Sequence, residues 1–491
     1  GVVMMGFVPD EETKGKCLKL ERAMYGAVQS PLAFWKECAA HLETIGMTKS
    51  QADPCVWFKM KDGETWLIVA VYVDDIVYSG TAEARDWFKT EIKKRFQIVD
   101  LGSITKHLGV WYEKKKDNKG LFFELTMNKY LDDITNDWVK ATGREPRLAA
   151  TPGYPGETLS KNLADETIQL EDYRKILGKL MWFTKKIMPE CGNAIRELAS
   201  HMDKPGDEHW RAMERVVGYI NKKGPSSLKL RKPRDFKCYA YVDSNFATNK
   251  DNRKSTTGYV ITVGGCIVSW SSKTQPSVTL SSTEAEYVAA STCATEIKFI
   301  QMLLEEIIPS ETLRPATLFE DNTGAIYLME NQAVGNRTKH IDIRMHHIRE
   351  MMQGADPRMR VMFTRSESNF ADVLTKNVTE QTFTQLVPAL KNGDIAEVIF
   401  QTIDREDVKK RGHRVDKRAR HSDESQRYST VVSTAEKRLL AVSDANHDLV
   451  DDTGWTVVNY KSIKPRMKGF TKEIEKGGGV DARKGKEADA T

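Results

Sequence analysis

Apolar positions recur at helical spacing in two stretches of the first third of the chain, and a continuous apolar run lies between them. The helical stretches are Leu32 to Met47 and Glu83 to Phe96. The run between them, Thr65 to Val73, is rich in β-branched residues and is bounded by turn residues, which is typical of a buried strand. A shorter strand-like stretch, "KHLGVWYEK", follows the second helix. These patterns predict a helix, a hairpin with a buried strand and a further helix.

From about residue 120 to 225 the pattern is largely helical. The stretch Thr151 to Asn162 is rich in Pro and Gly and interrupts this pattern, so we interpret it as a linker. Beyond about residue 398 the apolar periodicity fades, and the end of the chain is rich in Gly and charged residues. We expect this last segment to be disordered, because it cannot bury enough apolar surface to fold.

A second domain is predicted to begin near Phe236. Three strand patterns come first and a long helix follows, with Ser282 as its expected N-cap and acidic residues in its first turn. Strands and helices then alternate up to a closing helix that is expected to begin at Asn369. Three strands in sequence followed by alternating elements indicate a mixed sheet with helices on its faces.

Composition is typical of an intracellular globular protein. The 491 residues are 40% apolar and 29% charged, which is enough for two to four domains with their own cores. The sequence has no uncharged apolar run long enough for a membrane span and no secretory signal. Its seven cysteines are scattered singly, so reduced core thiols are favoured over a zinc site. A first residue that is Gly rather than Met suggests a fragment.

The distribution of charge says more about partners than the net charge of +5 does. Seven Lys or Arg residues and one Asp lie between Lys409 and Arg420. A solvated or nuclear-targeting tail and a nucleic-acid contact both account for this run.

Two adjacent aspartates, Asp74 and Asp75, directly follow the buried strand pattern in "LIVAVYVDDIVYSG". Successive side chains of a strand point to opposite faces, so a turn is needed to bring both carboxylates to one cleft. A hairpin with Asp74 and Asp75 at its tip would do this, and Mg²⁺, which binds carboxylate oxygens and substrate phosphates, gives a reason for the pair. An ordinary Asp-containing hairpin turn is the alternative, and spacing alone does not decide between the two.

More carboxylates lie at the ends of predicted elements in the second domain. They lie in the first strand, in the first turn of the long helix, after the strand "TLFE" and at the start of the closing helix: Asp243, Glu284, Glu286, Asp321 and Asp372. Strand ends and helix starts that converge on one edge of a sheet are where open α/β folds build their sites.

Several motifs, in order, resemble the Pol polyprotein of copia-type long-terminal-repeat retrotransposons. "YVDD" is similar to the catalytic box of reverse transcriptases, and "LKLERAMYGAVQSPLAFW", "SQADPCVWFK" and "VDLGSITKHLGVWYE" resemble segments around it in that family. "DNRKSTTGY", "SWSSKTQPSVTLSSTEAEY" and "NRTKHIDIRMHHIRE" resemble segments of the family's ribonuclease H part. The resemblance covers about residues 1 to 378.

For the first part of the chain the resemblance implies an RNA-directed DNA polymerase that uses two Mg²⁺ ions, with Mn²⁺ as the alternative ion. Asp74 and Asp75 would be catalytic metal ligands, and the substrates would be an RNA template, a DNA primer and deoxynucleotides. A turn before a helix is the alternative for the segment "GAVQSP". The residues implied to bind primer, template or nucleotide are Tyr72, Val73, Gly26, Gln29, Ser30 and Pro31.

The chain departs from the family pattern at its start. The family's third polymerase carboxylate lies upstream of a segment that this chain enters at "VVMMGFVP". We therefore expect the chain to lack that carboxylate and the fingers, and to be unable to polymerise DNA alone. Template-dependent nucleotide incorporation by the purified chain would contradict this expectation.

The carboxylates of the second domain fit the ribonuclease H fold. The resemblance implies two Mg²⁺ or Mn²⁺ ions that activate water to cut the RNA strand of an RNA/DNA hybrid, held by Asp243, Glu286, Asp321 and Asp372 as catalytic ligands. Glu286 is preferred because the family pattern matches "EYVA", whereas Glu284 is assigned to the helix dipole. The loop "TRSESNF" lacks the His that cellular enzymes of this fold carry, so product release has no assigned residue.

The basic segment "NRTKHIDIRMHHIRE" is predicted to contact nucleic-acid phosphates through Arg337, Lys339 and Arg344. A metal site formed by its histidines is the less favoured alternative. Trp270 and Tyr259 are expected in the core rather than as base-stacking platforms.

These patterns and the resemblance predict an α+β chain in four parts. They are a reverse transcriptase palm and thumb without fingers or first catalytic motif (1–150), a helical connection (151–235), an α/β ribonuclease H-like domain with a mixed five-stranded sheet (236–395), and a basic, largely disordered tail (396–491). The alternative to an enzyme fragment is a decayed or domesticated copy that only binds nucleic acid or an intact polymerase. The resemblance implies location in cytoplasmic virus-like particles, in the nucleus or in both, and no membrane partner.

Overall fold

The structure is a computed structural model that describes residue 28 and residues 30–163, 169–222, 227–331, 339–403 and 456–460. Its strands are β1 (Thr48–Lys49), β2 (Val56–Lys61), β3 (Glu64–Tyr72), β4 (Asp75–Gly80), β5 (Ile98–Ser103), β6 (Lys106–His107), β7 (Val110–Asp117), β8 (Gly120–Thr126), β9 (Ser227–Arg231), β10 (Cys238–Asn245), β11 (Thr256–Val263), β12 (Cys266–Thr274), β13 (Ala316–Glu320), β14 (Met359–Phe363) and β15 (Thr456–Tyr460). Its helices are α1 (Ser30–Thr44), α2 (Ala82–Arg95), α3 (Asn128–Thr142), α4 (Leu170–Ile187), α5 (Gly192–Ala199), α6 (Asp207–Lys222), α7 (Ser282–Ile307), α8 (Thr323–Glu330), α9 (Lys339–Met352) and α10 (Glu380–Asn392). No helix in this part of the chain is long and apolar enough to cross a membrane.

The first sheet has the strand order β1-β2-β3-β4-β15-β5. β3 alternates buried and partly buried positions, and its buried Leu67 and Val69 share a core with Phe88 of α2. Thr81 caps α2, because its side chain accepts a hydrogen bond from a backbone N–H of the first turn. The predicted helix, hairpin and second helix are all present, and their ends lie within about three residues of the predicted ones.

The strand between β4 and β5 comes from the C-terminal part of the chain. β15 pairs antiparallel with both neighbours, and Val458 lies opposite Ile76 of β4. Residues 395–403 are also helical, and Ile395 is buried in the main core. These two segments are ordered exceptions within the tail that was predicted to be largely disordered, because backbone pairing and apolar burial hold them to the rest of the chain. Most of the predicted tail lies outside the described residues.

The second sheet has the order β6-β7-β8-β9, and the α3 to α6 helices pack against it. β8 corrects the expectation of helix from residue 120, since this segment is a strand that pairs antiparallel with both β7 and β9. Leu125 lies opposite Leu228 of β9, so this sheet crosses the predicted boundary at residue 150. The two sides of that boundary therefore share one core.

The third sheet has the order β12-β11-β10-β13-β14 and is the predicted mixed five-stranded sheet. β10, β11 and β12 are antiparallel neighbours, whereas β13 and β14 run parallel to β10. Two predicted details were wrong. The N-cap of α7 is Ser281 rather than Ser282, because the Ser281 hydroxyl accepts the N–H of the third residue that follows it. The segment after Asn369 is a 3₁₀ turn (Phe370–Leu374), and α10 begins only at Glu380.

Contacts at the C-terminal end of α7 connect the first and third sheets. Glu306 of α7 accepts hydrogen bonds from the backbone N–H of Gln51 at 3.0 Å and of Ala52 at 3.3 Å. Both residues belong to the "SQADPC" motif. The motif therefore forms a turn that is fixed against the long helix of the other domain.

Candidate active site

Asp243 lies at the centre of the third sheet. Every residue of β10 except the last is buried, and Asp243 itself is 2% exposed. Its partner across the antiparallel pair with β11 is Gly258. A carboxylate so deep in a sheet needs nearby donors or a cation, since an isolated buried charge is costly.

Two further carboxylates converge on Asp243. Glu286 comes from the first turns of α7 and Asp321 directly follows β13, and one ligand oxygen of each lies within 4.8 Å of the others and of Asp243. Buried Gln275 fixes the start of α7, because its side-chain amide donates to the carbonyl of Ala285 at 2.9 Å. The motif "SWSSKTQPSVTLSSTEAEY" thus supplies a strand, the residue that anchors the helix, and the helix that carries Glu286.

Glu284 has a different role, as the sequence predicted. Its Oε2 accepts the backbone N–H of Leu280 at 2.7 Å, which is a capping contact at the N-terminus of α7. Glu284 is therefore engaged in helix capping, and Glu286 is the helix carboxylate that joins the cluster.

Asp372 lies on the 3₁₀ turn that covers the sheet next to Asp243. Asn369 holds this turn, because its side-chain amide donates to the carbonyl of Val242 at 2.9 Å and its oxygen accepts the N–H of Ala371 at 3.1 Å. The turn approaches β11 closely at Gly258, where a Cβ would lie 2.5 Å from Thr375 Cγ2. Gly258 is therefore the residue of "DNRKSTTGY" that lets this segment reach the cluster.

Two residues after the 3₁₀ turn bind the aspartates directly. The hydroxyl of Thr375 donates to Asp243 Oδ2. Lys376 Nζ lies 3.0 Å from Asp372 Oδ1 and 3.3 Å from Asp243 Oδ1. Neither residue was predicted from the sequence, although the four-residue spacing of Asp372 and Lys376 is a signal that could have indicated their ion pair.

The carboxyl groups of this site have raised pKa values because they are buried together. Burial, and then the neighbouring Glu320 and Asp243, raise the pKa of Glu286 to about 11. Burial raises the pKa of Asp243 to about 7, although the Lys376 ammonium acts to lower it. Burial likewise raises the pKa values of Glu320 and Asp372. Without a cation the site therefore holds protons that a metal ion would displace.

Glu320 is a further carboxylate that the sequence analysis missed, although it directly precedes Asp321. It is fully buried, and its Oε1 accepts the N–H of Asn322 at 3.0 Å. Glu286 Oε2 and Glu320 Oε2 are buried and have no hydrogen-bond partner. Such oxygens are costly unless they are protonated or bound to a cation, and hard divalent ions prefer carboxylate oxygens. The donor set therefore fits a divalent metal ion.

The Asp74–Asp75 hairpin is present, but its tip is displaced by one residue from the predicted one. Tyr72 and Asp75 are paired across the hairpin, so the tip is Val73–Asp74 and Asp75 begins β4. Val73 has a φ of 54°, which a β-branched residue rarely adopts. In the part of the chain that the structure describes, neither aspartate belongs to a group of three metal-ligand side chains.

His107 is the residue that the structure brings to this hairpin and that the sequence did not suggest. Its Nδ1 lies 3.9 Å from Asp75 Oδ2, which is beyond hydrogen-bond distance. Burial lowers the pKa of His107, whereas burial and Asp74 raise the pKa of Asp75.

The predicted substrate-binding residues are only partly described. Tyr72 and Val73 are 52% and 44% exposed at the hairpin tip, and Ser30 and Pro31 begin α1. Arg344 of α9 is partly buried, with one guanidinium nitrogen that has no hydrogen-bond partner. Gly26, Gln29, Arg337 and the side chain of Lys339 lie outside the described residues.

The third sheet, with a buried carboxylate cluster at the meeting point of β10, α7 and β13, defines a ribonuclease H-like domain. In the first part of the chain, residues 2–148 match the family described as "Reverse transcriptase (RNA-dependent DNA polymerase)". Over 381 residues the chain is 32% identical to the Retrovirus-related Pol polyprotein from transposon RE1 of Arabidopsis thaliana, covering 77% of this chain and 25% of that protein. The chain is thus similar, over most of its length, to the Pol polyproteins of copia-type retrotransposons.

Other relatives give the same family. The Retrovirus-related Pol polyprotein from transposon TNT 1-94 of Nicotiana tabacum is 29% identical over 380 residues, covering 74% of this chain and 27% of that protein. The chain thus spans about a quarter of the length of these curated relatives.

Among solved structures, LC11-RNase H1, isolated from compost, is similar with 18% identity and a TM-score of 0.23, covering 32% of this chain and 99% of that chain.

Proposed function

We propose that this chain cleaves the RNA strand of RNA/DNA hybrids with the help of divalent metal ions. The observation that carries the proposal is the cluster of Asp243, Glu286 and Asp321, whose ligand oxygens lie within 4.8 Å of one another. The unpartnered, buried Oε2 of Glu286 supports it, because no hydrogen-bond donor contacts this oxygen and a divalent cation would satisfy it.

The residues divide into two ligand groups. Asp243, Glu286 and Asp321 would hold one Mg²⁺ or Mn²⁺ ion, and Asp243 with Asp372 would hold a second. When bound, such ions lower the pKa of a coordinated water and stabilise the leaving oxygen of a phosphodiester.

The surrounding side chains hold the ligands in place. Thr375 orients Asp243 by donating its hydroxyl hydrogen to Oδ2. Asn369 ties the turn that carries Asp372 to the backbone of β10. Gln275 fixes the helix that carries Glu286. These contacts keep the carboxylates oriented before substrate arrives, as metal-dependent sites require.

The choice of an RNA/DNA hybrid as substrate follows from the chemistry of the first domain. A polymerase that copies RNA into DNA leaves the template paired with its product, so a nuclease on the same polypeptide meets a hybrid duplex. A hybrid has A-form-like geometry and 2′-hydroxyl groups on one strand, which give a protein the means to distinguish that strand.

DNA synthesis is proposed for the longer parent protein, with an RNA template, a DNA primer and deoxynucleotides as substrates. The hairpin supplies Asp74 and Asp75 to that site. In the described residues they have His107 beside them and no third carboxylate that could share a metal ion. Two-metal nucleotidyl transfer needs more carboxylate ligands than this pair offers.

The test is a cleavage assay on a hybrid whose RNA strand carries an end label. We expect the purified chain to shorten the labelled RNA in Mg²⁺ and to leave it intact in EDTA. Asp243→Asn and Glu286→Gln should reduce cleavage below detection, because each removes a ligand charge from the cluster. Asp74→Asn is the matched control, since it removes the same kind of charge from the separate hairpin, and it should cleave at the wild-type rate.

Two outcomes would contradict the proposal. Hybrid binding without cleavage in Mg²⁺ would favour the binding-only alternative. Unchanged cleavage by Glu286→Gln would show that the metal ligands are misassigned.

A further inference from the structure

Lys376 places a positive charge between two of the proposed metal ligands. Its Nζ is 3.0 Å from Asp372 Oδ1 and 3.3 Å from Asp243 Oδ1, so one ammonium bridges both aspartates. The two aspartates are largely buried, whereas the Lys376 side chain is 37% exposed. The ammonium therefore enters the site from its solvent side.

The two sides of the cluster are consequently not equivalent. The side formed by Glu286 and Asp321 with Asp243 contains an unpartnered buried oxygen. The side formed by Asp243 and Asp372 already has a cation bound to it. An ion on the first side gains Glu286 and Asp321, which the ammonium does not bind, whereas both carboxylates of the second side are already bound to the ammonium.

We propose that Lys376 is an internal competitor for the second metal ion, which holds Asp243 and Asp372 together in the metal-free protein and withdraws when that ion binds. The inference rests on the proposed function of the cluster. A lysine suits this role because its ammonium is a point charge on a flexible four-carbon stem. Its partial exposure gives the stem room to withdraw toward solvent, where water replaces the lost carboxylate contacts.

The role predicts a stepwise affinity for metal. The first ion binds without displacing the Lys376 ammonium, and the second binds at least about tenfold more weakly because a unit charge about 3 Å from its ligands must be moved. Removal of the ammonium eliminates that difference. Lys376 is in this sense a positioning residue rather than a catalytic one.

The test measures Mn²⁺ binding to the full chain from the EPR signal of free Mn²⁺. Wild type should bind one Mn²⁺ tightly and a second at least about tenfold more weakly, whereas Lys376→Met should bind the second roughly tenfold more tightly than wild type does. Lys376→Arg keeps a cation and should bind like wild type. Lys273→Met removes the same charge from an exposed position of β12 and is the matched control.

A second readout is the thermal stability of the chain. In metal-free buffer Lys376→Met should melt roughly 5 °C below wild type, because two buried aspartates lose their shared counter-charge, and Mn²⁺ should restore the loss. Identical Mn²⁺ titrations for wild type and Lys376→Met would overturn the role of Lys376 alone. A wild-type chain that binds no Mn²⁺ would instead overturn the proposed function of the cluster.

Discussion

The substitution Gly258→Ala tests how the 3₁₀ turn delivers Asp372 and Thr375 to the site. An added Cβ would lie 2.5 Å from Thr375 Cγ2, 3.0 Å from Leu374 Cβ and 3.1 Å from the carbonyl oxygen of Ala371. Ordinary contacts between carbon atoms are about 3.5 to 4.0 Å, so the turn must move by on the order of 1 Å. Overpacking of this kind costs about 1–3 kcal/mol of folding free energy.

The expected loss of activity is larger than the loss of stability. A displacement of about 1 Å at a catalytic group lowers the rate by roughly 10²-fold, and here the displaced residues bind Asp243 directly. Urea unfolding measures the free energy of unfolding, and hybrid cleavage in saturating Mg²⁺ measures the cleavage rate. The matched control is Gly178→Ala in α4, where a Cβ meets nothing within 4 Å and helix propensity should raise stability by about 0.5–1 kcal/mol. A Gly258→Ala protein with wild-type stability and wild-type cleavage would refute the reasoning.

Three further predictions concern pH, a buried hydroxyl and the tail strand. Folding raises the pKa of Asp243 from 3.8 to about 7. Between these two pH values the folded protein retains a proton that the unfolded chain has released. The stability of the metal-free protein should therefore fall as pH rises from about 3.8 to about 7. Thermal melts should show a smaller fall in Asp243→Asn and in wild type with Mg²⁺. Thr375→Val should weaken Mn²⁺ binding in EPR titrations, because it removes the hydroxyl that orients Asp243. Thr384→Val, at an exposed position of α10, should leave Mn²⁺ binding unchanged. Truncation after residue 403 removes β15, through which β5 joins the first sheet. Amide hydrogen exchange should therefore accelerate in β4 and β5 and stay unchanged in β10. Equal exchange rates in β4 of the truncated and the full chain would contradict the pairing of β4 with β15.

Local patterns identified the carboxylates at element ends in the second domain, and the family resemblance selected the four proposed metal ligands among them. Asp243, Glu286 and Asp321 each lie at the end or the start of a regular element, and the order of those elements determines which ends meet in a mixed sheet. The structure brings these three together as one group. Their assignment as metal ligands stays a prediction until the substitutions above are measured.

The contacts around those ligands could not be predicted from periodicity. Thr375 and Lys376 contact Asp243 although more than a hundred residues separate them in the sequence. The 3₁₀ turn that precedes them can lie close to β11 only because residue 258 is a glycine. A closing helix from Asn369 was predicted there because the apolar spacing of a 3₁₀ turn resembles that of a helix over so few residues.

Two other differences have equally local causes. The hairpin tip is Val73–Asp74 because the strand register pairs Tyr72 with Asp75. This register puts Val73 in a left-handed backbone conformation, which β-branched residues rarely adopt. β15 was not predicted because this five-residue strand forms through pairing with strands that lie far away in the sequence.

Anomalous diffraction from crystals of the chain soaked in Mn²⁺ tests the central claim most directly. The account predicts a Mn²⁺ peak bound by Asp243, Glu286 and Asp321, with a second, weaker peak beside Asp372 where Lys376 has moved away. A structure with no Mn²⁺ at these carboxylates, or with Mn²⁺ bound only elsewhere on the chain, would contradict it.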